Sequence, residues 1–271
     1  MAHWTLDDID WTAFRPDLVD PELLRVAKAA ALVEHNGADY AVYLNNVFAG
    51  DGEIGPAIDS WALEEVQHGK ALARWAKLAD PDWDFDAAFA RFVEGYRIPL
   101  DAAASVRGSR TAELIARCIV ETGTSSYYAA LADAADEPVF RQVCRHIAAD
   151  ELRHYKLFYD HMRRYQGAEN LGRWGRLVTG IGRIAESEDD ELSYAYYAAN
   201  QWPAPYDRRT SARAYARRAY SVYRGKHIDR GIGMALKAVG LRPQGPLHRA
   251  LAALATRLMA ARARSLARAG A

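Results

Sequence analysis

Two segments of this 271-residue chain carry metal-ligand side chains at helical spacing. Trp61-Ala62-Leu63-Glu64-Glu65-Val66-Gln67-His68 and Ala149-Asp150-Glu151-Leu152-Arg153-His154 each contain Glu-x-x-His. Residues three apart on a helix share a face, so Glu65 with His68, and Glu151 with His154, can aim at one point. A chain with 14 Glu and 8 His forms such pairs by chance often enough that their placement must decide their meaning. Both pairs interrupt apolar stripes, Trp61, Glu65, His68, Leu72, Trp75 in one segment and Val143, Ile147, Glu151, His154, Phe158 in the other. Two more carboxylates occupy equally unfavourable positions. Glu34 falls among Ala27, Ala30, Ala31, Ala38 and Ala41, and Glu121 among Leu114, Cys118, Ser125 and Tyr128.

Four carboxylates turned into a core are strongly disfavoured unless something compensates them, and two divalent cations bring four positive charges against their four negative ones. Hard carboxylate oxygens with one imidazole per metal suit iron better than a structural zinc site, with manganese or a mixed manganese and iron pair also fitting. The expected ligands are Glu34, Glu65, His68, Glu121, Glu151 and His154. Glu34 and Glu65 are 31 residues apart and Glu121 and Glu151 are 30 apart, which implies two helix pairs related by a pseudo-twofold axis. The plainer alternative leaves Glu34 or Glu121 on a solvated face and the histidines in local hydrogen bonds. The full set resembles that of the ferritin-like di-iron carboxylate proteins, in which two helices each give a Glu and two give Glu-x-x-His.

The elements that must carry these residues are helices. Ala, Leu, Arg and Glu dominate, apolar positions recur at three and four residues, and no stretch reads as a strand. A first long helix of about 28 residues opens at Pro21-Glu22 and ends near Gly50-Asp51-Gly52, and a second runs from Gly55-Pro56 to Asp80-Pro81-Asp82. A crossover with a short amphipathic helix near Phe85 to Tyr96 leads to a third, about Arg110 to Ala134. The fourth begins near Asp136-Glu137-Pro138 and reaches about Tyr165. Helices of this length, roughly 35 to 45 Å each, build a four-helix bundle. The expectation is an all-α, ferritin-like four-helix bundle over residues 1–168, with residues 169–271 a helical, basic extension packed on the bundle or on a partner.

The second and fourth helices resemble the soluble acyl-[acyl-carrier-protein] desaturases. That family's W-T-A-E-E-N-R-H-G-D is answered by W-A-L-E-E-V-Q-H-G-K from Trp61 to Lys70, and its A-D-E-K-R-H-E by A-D-E-L-R-H-Y from Ala149 to Tyr155. The family's threonine three residues after the third-helix glutamate is matched by Thr124 after Glu121. The resemblance, which spans roughly residues 25–165, implies that Thr124 lies beside the oxygen site and that Trp61 and Asp150 stand just behind the ligands. It also implies a di-iron oxidoreductase that uses oxygen to insert a double bond into a fatty acyl chain, with an acyl carrier protein delivering substrate, a ferredoxin-like donor supplying electrons, and a homodimer as the assembly. Thr124 would donate or relay a proton during O–O cleavage, or simply bond a carbonyl one turn back. Other readings sort by residues. Leu72 stands where a ribonucleotide reductase radical subunit would have tyrosine, and a rubrerythrin's Cys-x-x-Cys is absent. A ferritin-like hydroxylase of another small substrate, an iron-storage protein and a non-enzymatic helical metal-binding protein remain open.

Charge bears on partners. The 35 basic and 35 acidic residues cancel, which argues against nucleic-acid binding driven by bulk charge. Yet residues 1–135 hold 22 acidic and 11 basic side chains, and residues 192–271 hold 15 basic and 2 acidic. Such a basic end suits an acidic carrier or donor protein, or an anionic membrane surface beside the Arg-rich Leu247 to Ala269 segment. Two cysteines, no basic and apolar leader and no membrane-length apolar run lead to the expectation of a cytoplasmic protein.

Overall fold

A computed structural model describes residues 4–186 and 190–269. Every regular element among them is helical. Three short 3-10 turns, Leu6–Asp8, Trp11–Ala13 and Pro16–Leu18, precede α1 (Pro21–His35), α2 (Gly37–Val47), α3 (Ile54–Ala79), α4 (Phe85–Gly95), α5 (Arg110–Ala134) and α6 (Pro138–Glu169). Then come α7 (Arg173–Ala185), α8 (Asp190–Asn200), α9 (Arg208–Ser221), α10 (Gly225–Ala238) and α11 (Pro246–Ala269).

Local chemistry sets most of these boundaries. Asp20 accepts from the backbone N–H groups of Glu22 and Leu23 with Pro21 in the first turn, Ser109 caps Ala112, and Glu137 caps Phe140. One boundary departs from the sequence reading. The first long helix is two, interrupted at Asn36, whose N–H turns back to Val33. The interruption lies where this strand of chain crosses α3. A Cβ on Gly37 would meet Glu65 Cβ at 2.4 Å, and one on Gly69 would meet the His35 nitrogen at 2.6 Å. Bare glycine backbone lets the two elements approach this closely.

Helix α5 lies along α6, α1 and α2 pack on α3, and α3 meets α6. Their apolar faces form two clusters. One contains Leu32, Leu72, Trp75, Tyr128, Leu131, Phe140 and Ile147. The other contains Leu44, Ile54, Ile58, Trp61, Leu114, Cys118, Phe158 and Met162. Along α3, α5 and α6 the change from one cluster to the other falls between residues 62 and 71, 119 and 127, and 148 and 155. The carboxylates and histidines lie in that gap, a polar layer between two apolar ones.

The later helices cover this unit. α7 and α10 pack on α5, α8 and α9 on α1, and α11 on α9 and α10. Tyr196 and Val222 join the first cluster, and Ala238 and Val239 the second. The basic end also finds acidic partners within the chain: Arg217 and Arg218 reach Glu22, Arg208 reaches Asp190, and Lys226 and His227 share Asp133. Both cysteines are buried free thiols. Among the described residues no helix is long and apolar enough to cross a membrane.

Candidate metal centre

Glu34 ends the penultimate position of α1, Glu65 and His68 project from mid-α3, Glu121 from mid-α5, and Glu151 and His154 from mid-α6. All six are buried, from His68 at 0% exposed to Glu65 at 9%. They form two groups whose ligand atoms lie within 4.8 Å of one another: Glu34, Glu65, His68 and Glu151, and Glu65, Glu121, Glu151 and His154. Glu65 and Glu151 belong to both, so two cations bound here would share them.

The imidazoles are oriented from behind. His68 Nε2 lies 2.9 Å from Asp150 Oδ2, and His154 Nε2 lies 2.9 Å from Glu64 Oε2. Ionised carboxylates only accept, so each Nε2 carries the hydrogen and each Nδ1 presents its lone pair to the layer. Those Nδ1 atoms face carboxylate oxygens. His68 Nδ1 is 3.3 Å from Glu151 Oε1 and 3.5 Å from Glu34 Oε2, and His154 Nδ1 is 3.0 Å from Glu65 Oε1 and 3.8 Å from Glu121 Oε2. Glu34 Oε2, Glu65 Oε1, Glu151 Oε1 and both Nδ1 atoms are buried without a hydrogen-bond partner. Lone pairs turned on one another repel unless protons or cations lie between them, and this donor set fits metal ions.

The titration pattern has the same cause. Burial, then the charges of Glu151 and Glu34, push Glu65 up to about 8. Burial and the neighbouring Glu151 and Glu65 push Glu121 well above the usual carboxylate range. Burial would raise Glu151 too, but the adjoining His154 and His68 imidazoles, which favour its charged form, hold it well below. Burial opposes charge on the histidines, yet Asp150, Glu151 and Glu34 around His68, and Glu151, Glu64 and Glu65 around His154, raise both. Glu65 and Glu121, this close to other carboxylates, keep protons unless a cation replaces them.

Four neighbours complete the layer. Thr124 donates to Glu151 Oε2 at 2.6 Å and also approaches the carbonyls of Val120 and Glu121 at 3.3 Å, the local contact expected of a helix hydroxyl. Trp61 stands edge-on to His154 with ring centroids 6.4 Å apart, and Tyr128 donates to Glu34 Oε1. Trp4, ahead of the helices, donates to Asp150 at 2.8 Å and stacks parallel to His68. Sequence reasoning missed Glu64 and Trp4. Glu64 was open to discovery, since it precedes Glu65 just as Asp150 precedes Glu151. Trp4 carries no spacing signal at all.

A narrow cavity of about 60 Å³ opens on the ligand layer itself, lined by Glu34, Glu65, Glu121 and Glu151 together with Val33, Tyr40, Trp61, Arg117, Val120, Thr124, Arg183 and Glu191. No protein-family model matches the chain, and no curated protein matches it either.

Proposed function

We propose that this protein is an oxygen-dependent di-iron oxidoreductase built on a ferritin-like four-helix bundle, with Glu34, Glu65, His68, Glu121, Glu151 and His154 as ligands. The observation that carries the reading is the set of five buried, unpartnered oxygen and nitrogen atoms converging in two groups that share Glu65 and Glu151. Ligand hardness favours iron, with manganese next. Two ferrous ions in such a site supply electrons to dioxygen and an oxidant able to attack an unactivated C–H bond.

The chain's own residues supply the rest. Asp150 and Glu64 hold the imidazoles in one tautomer, and Arg153 contacts both acids, so the two ligand histidines are tethered through one guanidinium. Tyr128 fixes one oxygen of Glu34 and leaves the other toward the layer. Thr124 keeps a hydroxyl proton at Glu151 Oε2, available to a reacting oxygen beside it. Trp61 and Phe158 exclude water from the His154 side.

The motif likeness supports a fatty acyl chain on an acidic carrier protein as substrate, desaturated with electrons from an acidic external donor. The cavity favours a second reading, oxidation or hydroxylation of a small polar molecule. Its space is less than half that of the roughly 150 Å³ cavity that takes up benzene. Its wall joins apolar surface from Val33, Tyr40, Trp61 and Val120 to the charged Arg117, Arg183 and Glu191, which suits a small molecule with one polar end. The test is anaerobic loading with ferrous iron, metal analysis, and then oxygen with acyl-carrier and small-molecule panels read by product mass. Two metals per chain with a product two mass units lighter means desaturation, and one sixteen units heavier means hydroxylation. Well under two metals per chain ends the proposal.

A further inference from the structure

Arg117 lies one turn before Glu121 on α5, so its side chain and that ligand share a face. It is 8% exposed, and its Nε is buried without a partner. Among the described residues it makes no hydrogen bond and no ion pair, and its one organised neighbour is the Tyr40 ring, 5.0 Å away at the centroid. The Tyr40 hydroxyl is turned elsewhere, donating to Glu191 at 2.9 Å. Arg183, from α7, lines the same cavity and has a buried Nη1 without a partner.

A guanidinium keeps its charge and its fork of donors under all ordinary conditions, and burying it without an anion is strongly unfavourable. Burial opposes the Arg117 charge and the nearby Tyr40, Glu121, Glu113 and Glu191 favour it, but none of these three carboxylates forms an ion pair with it. Glu121 turns to the ligand layer, and Glu191 is engaged by Tyr40. If two divalent cations balance the four clustered carboxylates, the charges left on the cavity wall are Arg117 and Arg183 against Glu191, an excess of one positive charge. Methylene groups packed on Arg117 would deepen its isolation, whereas a planar two-oxygen anion matches its fork.

We propose that the cavity binds a small carboxylate, its two oxygens held by Arg117 with Arg183 closing over them from α7. The adjoining carbon then lies toward the edge formed by Glu121 and Thr124. This deepens the small-molecule reading above and rests on it for the chemistry that follows binding. It also gives α7 and α8, outside the ligand helices, a part in the site. Arg183 and Glu191 form the cavity's far wall.

Calorimetric titration of the full metal-loaded chain with formate, acetate and propionate, each paired with its neutral amide, tests the assignment. At least one carboxylate is expected to bind the unaltered protein tenfold or more tightly than its amide. Arg117→Gln should remove that preference with metal content unchanged, and Arg117→Lys should keep part of it. Carboxylate binding that survives in Arg117→Gln overturns the assignment, because the metals alone then hold the anion. No preference for any carboxylate over its amide overturns it as well. If Arg117→Gln does not fold, Arg183→Gln on the cavity rim provides the same comparison, with a loss of several-fold expected and an unchanged preference counting against the site. Metal content is measured first, so a chain with well under two metals sinks the di-metal reading separately. In that metal-free chain, a preference that still depends on Arg117 supports the anion site by itself.

Discussion

Glu64 and Asp150 make opposite halves of one device: each precedes a ligand glutamate on its own helix and holds the ligand histidine of the other helix at 2.9 Å. Removing the negative charge while keeping the shape should therefore loosen the imidazoles without disturbing the helices. Glu64→Gln and Asp150→Asn are each expected to weaken metal affinity by about 10- to 100-fold, with helical content unchanged. Metal titration followed by circular dichroism checks both, and unaltered affinity would show that the imidazoles need no such support. The same layer fixes a pH dependence. Glu65 sits at about 8 in the folded chain, against an ordinary value near 4.3 once unfolded. Between those values the folded state holds a proton that the unfolded state lacks, so stability falls as pH rises through that window and levels off above it. His68 and His154, raised as well, act in the same direction, while Glu151, held low, acts against them at acid pH. The metal-free chain should melt at a lower temperature at pH 8 than at pH 6. Manganous ion, by displacing those protons, should flatten the slope. A metal-free melting temperature that rises over this range would contradict the arrangement.

At the scale of elements, the crossing of α1, α2 and α3 depends on two residues without side chains. A methyl group at Gly37 would overlap Glu65 Cβ, and one at Gly69 would strike the His35 backbone. Gly69→Ala meets backbone that cannot rotate aside and should cost about 1–3 kcal/mol in chemical denaturation. Gly37→Ala pushes directly on a ligand shared by both groups and should lower metal occupancy more than it lowers stability. Equal metal binding in both variants would separate the crossing from the site. This crossing also marks the limit of what the sequence could reveal. The span of α5, Arg110–Ala134, was legible because a serine cap, an apolar period and a following break are all local signals. The interruption at Asn36 was not, since its cause is the nearness of Glu65, 29 positions away. Glu65, His68, Glu151 and His154 could be read because each polar pair interrupts an apolar stripe of its own helix. Glu64 pairs across helices, and Arg117 looks in sequence like one more solvated arginine, so their meaning appears only once α3, α5 and α6 are brought together.

For the whole molecule, the opposed charges of the two ends take on a partly internal sense. The basic end expected to receive an acidic protein includes Arg208, Arg217 and Arg218, but Arg218 is only 8% exposed, and it and Arg217 hold Glu22 at the start of α1 while Arg208 holds Asp190. The Glu22 contacts fasten α9 to the helix that bears Glu34, and the Asp190 contact fastens it to α8. Charge reversal there tests the fold before it tests docking. Arg218→Glu would set two carboxylates together at a half-buried contact and break its stacking on Tyr196. Because Glu22 is half exposed, the expected loss is discounted for solvent screening to about 1–3 kcal/mol. Arg249→Glu and Arg257→Glu on α11 lie on the exposed face and should change stability by no more than about 0.5 kcal/mol. Denaturation melts of the three variants, with Glu22→Arg added to Arg218→Glu, decide the matter. Restored pairing should return part of the lost stability, whereas an Arg218→Glu chain as stable as the parent would hand α9 back to an external acidic partner. Salt-dependent binding of an acidic carrier or donor protein is then to be sought through Arg249, Arg257, Arg264 and Arg268 of α11. Neutralising these should weaken association at low ionic strength while the melting temperature stays unchanged.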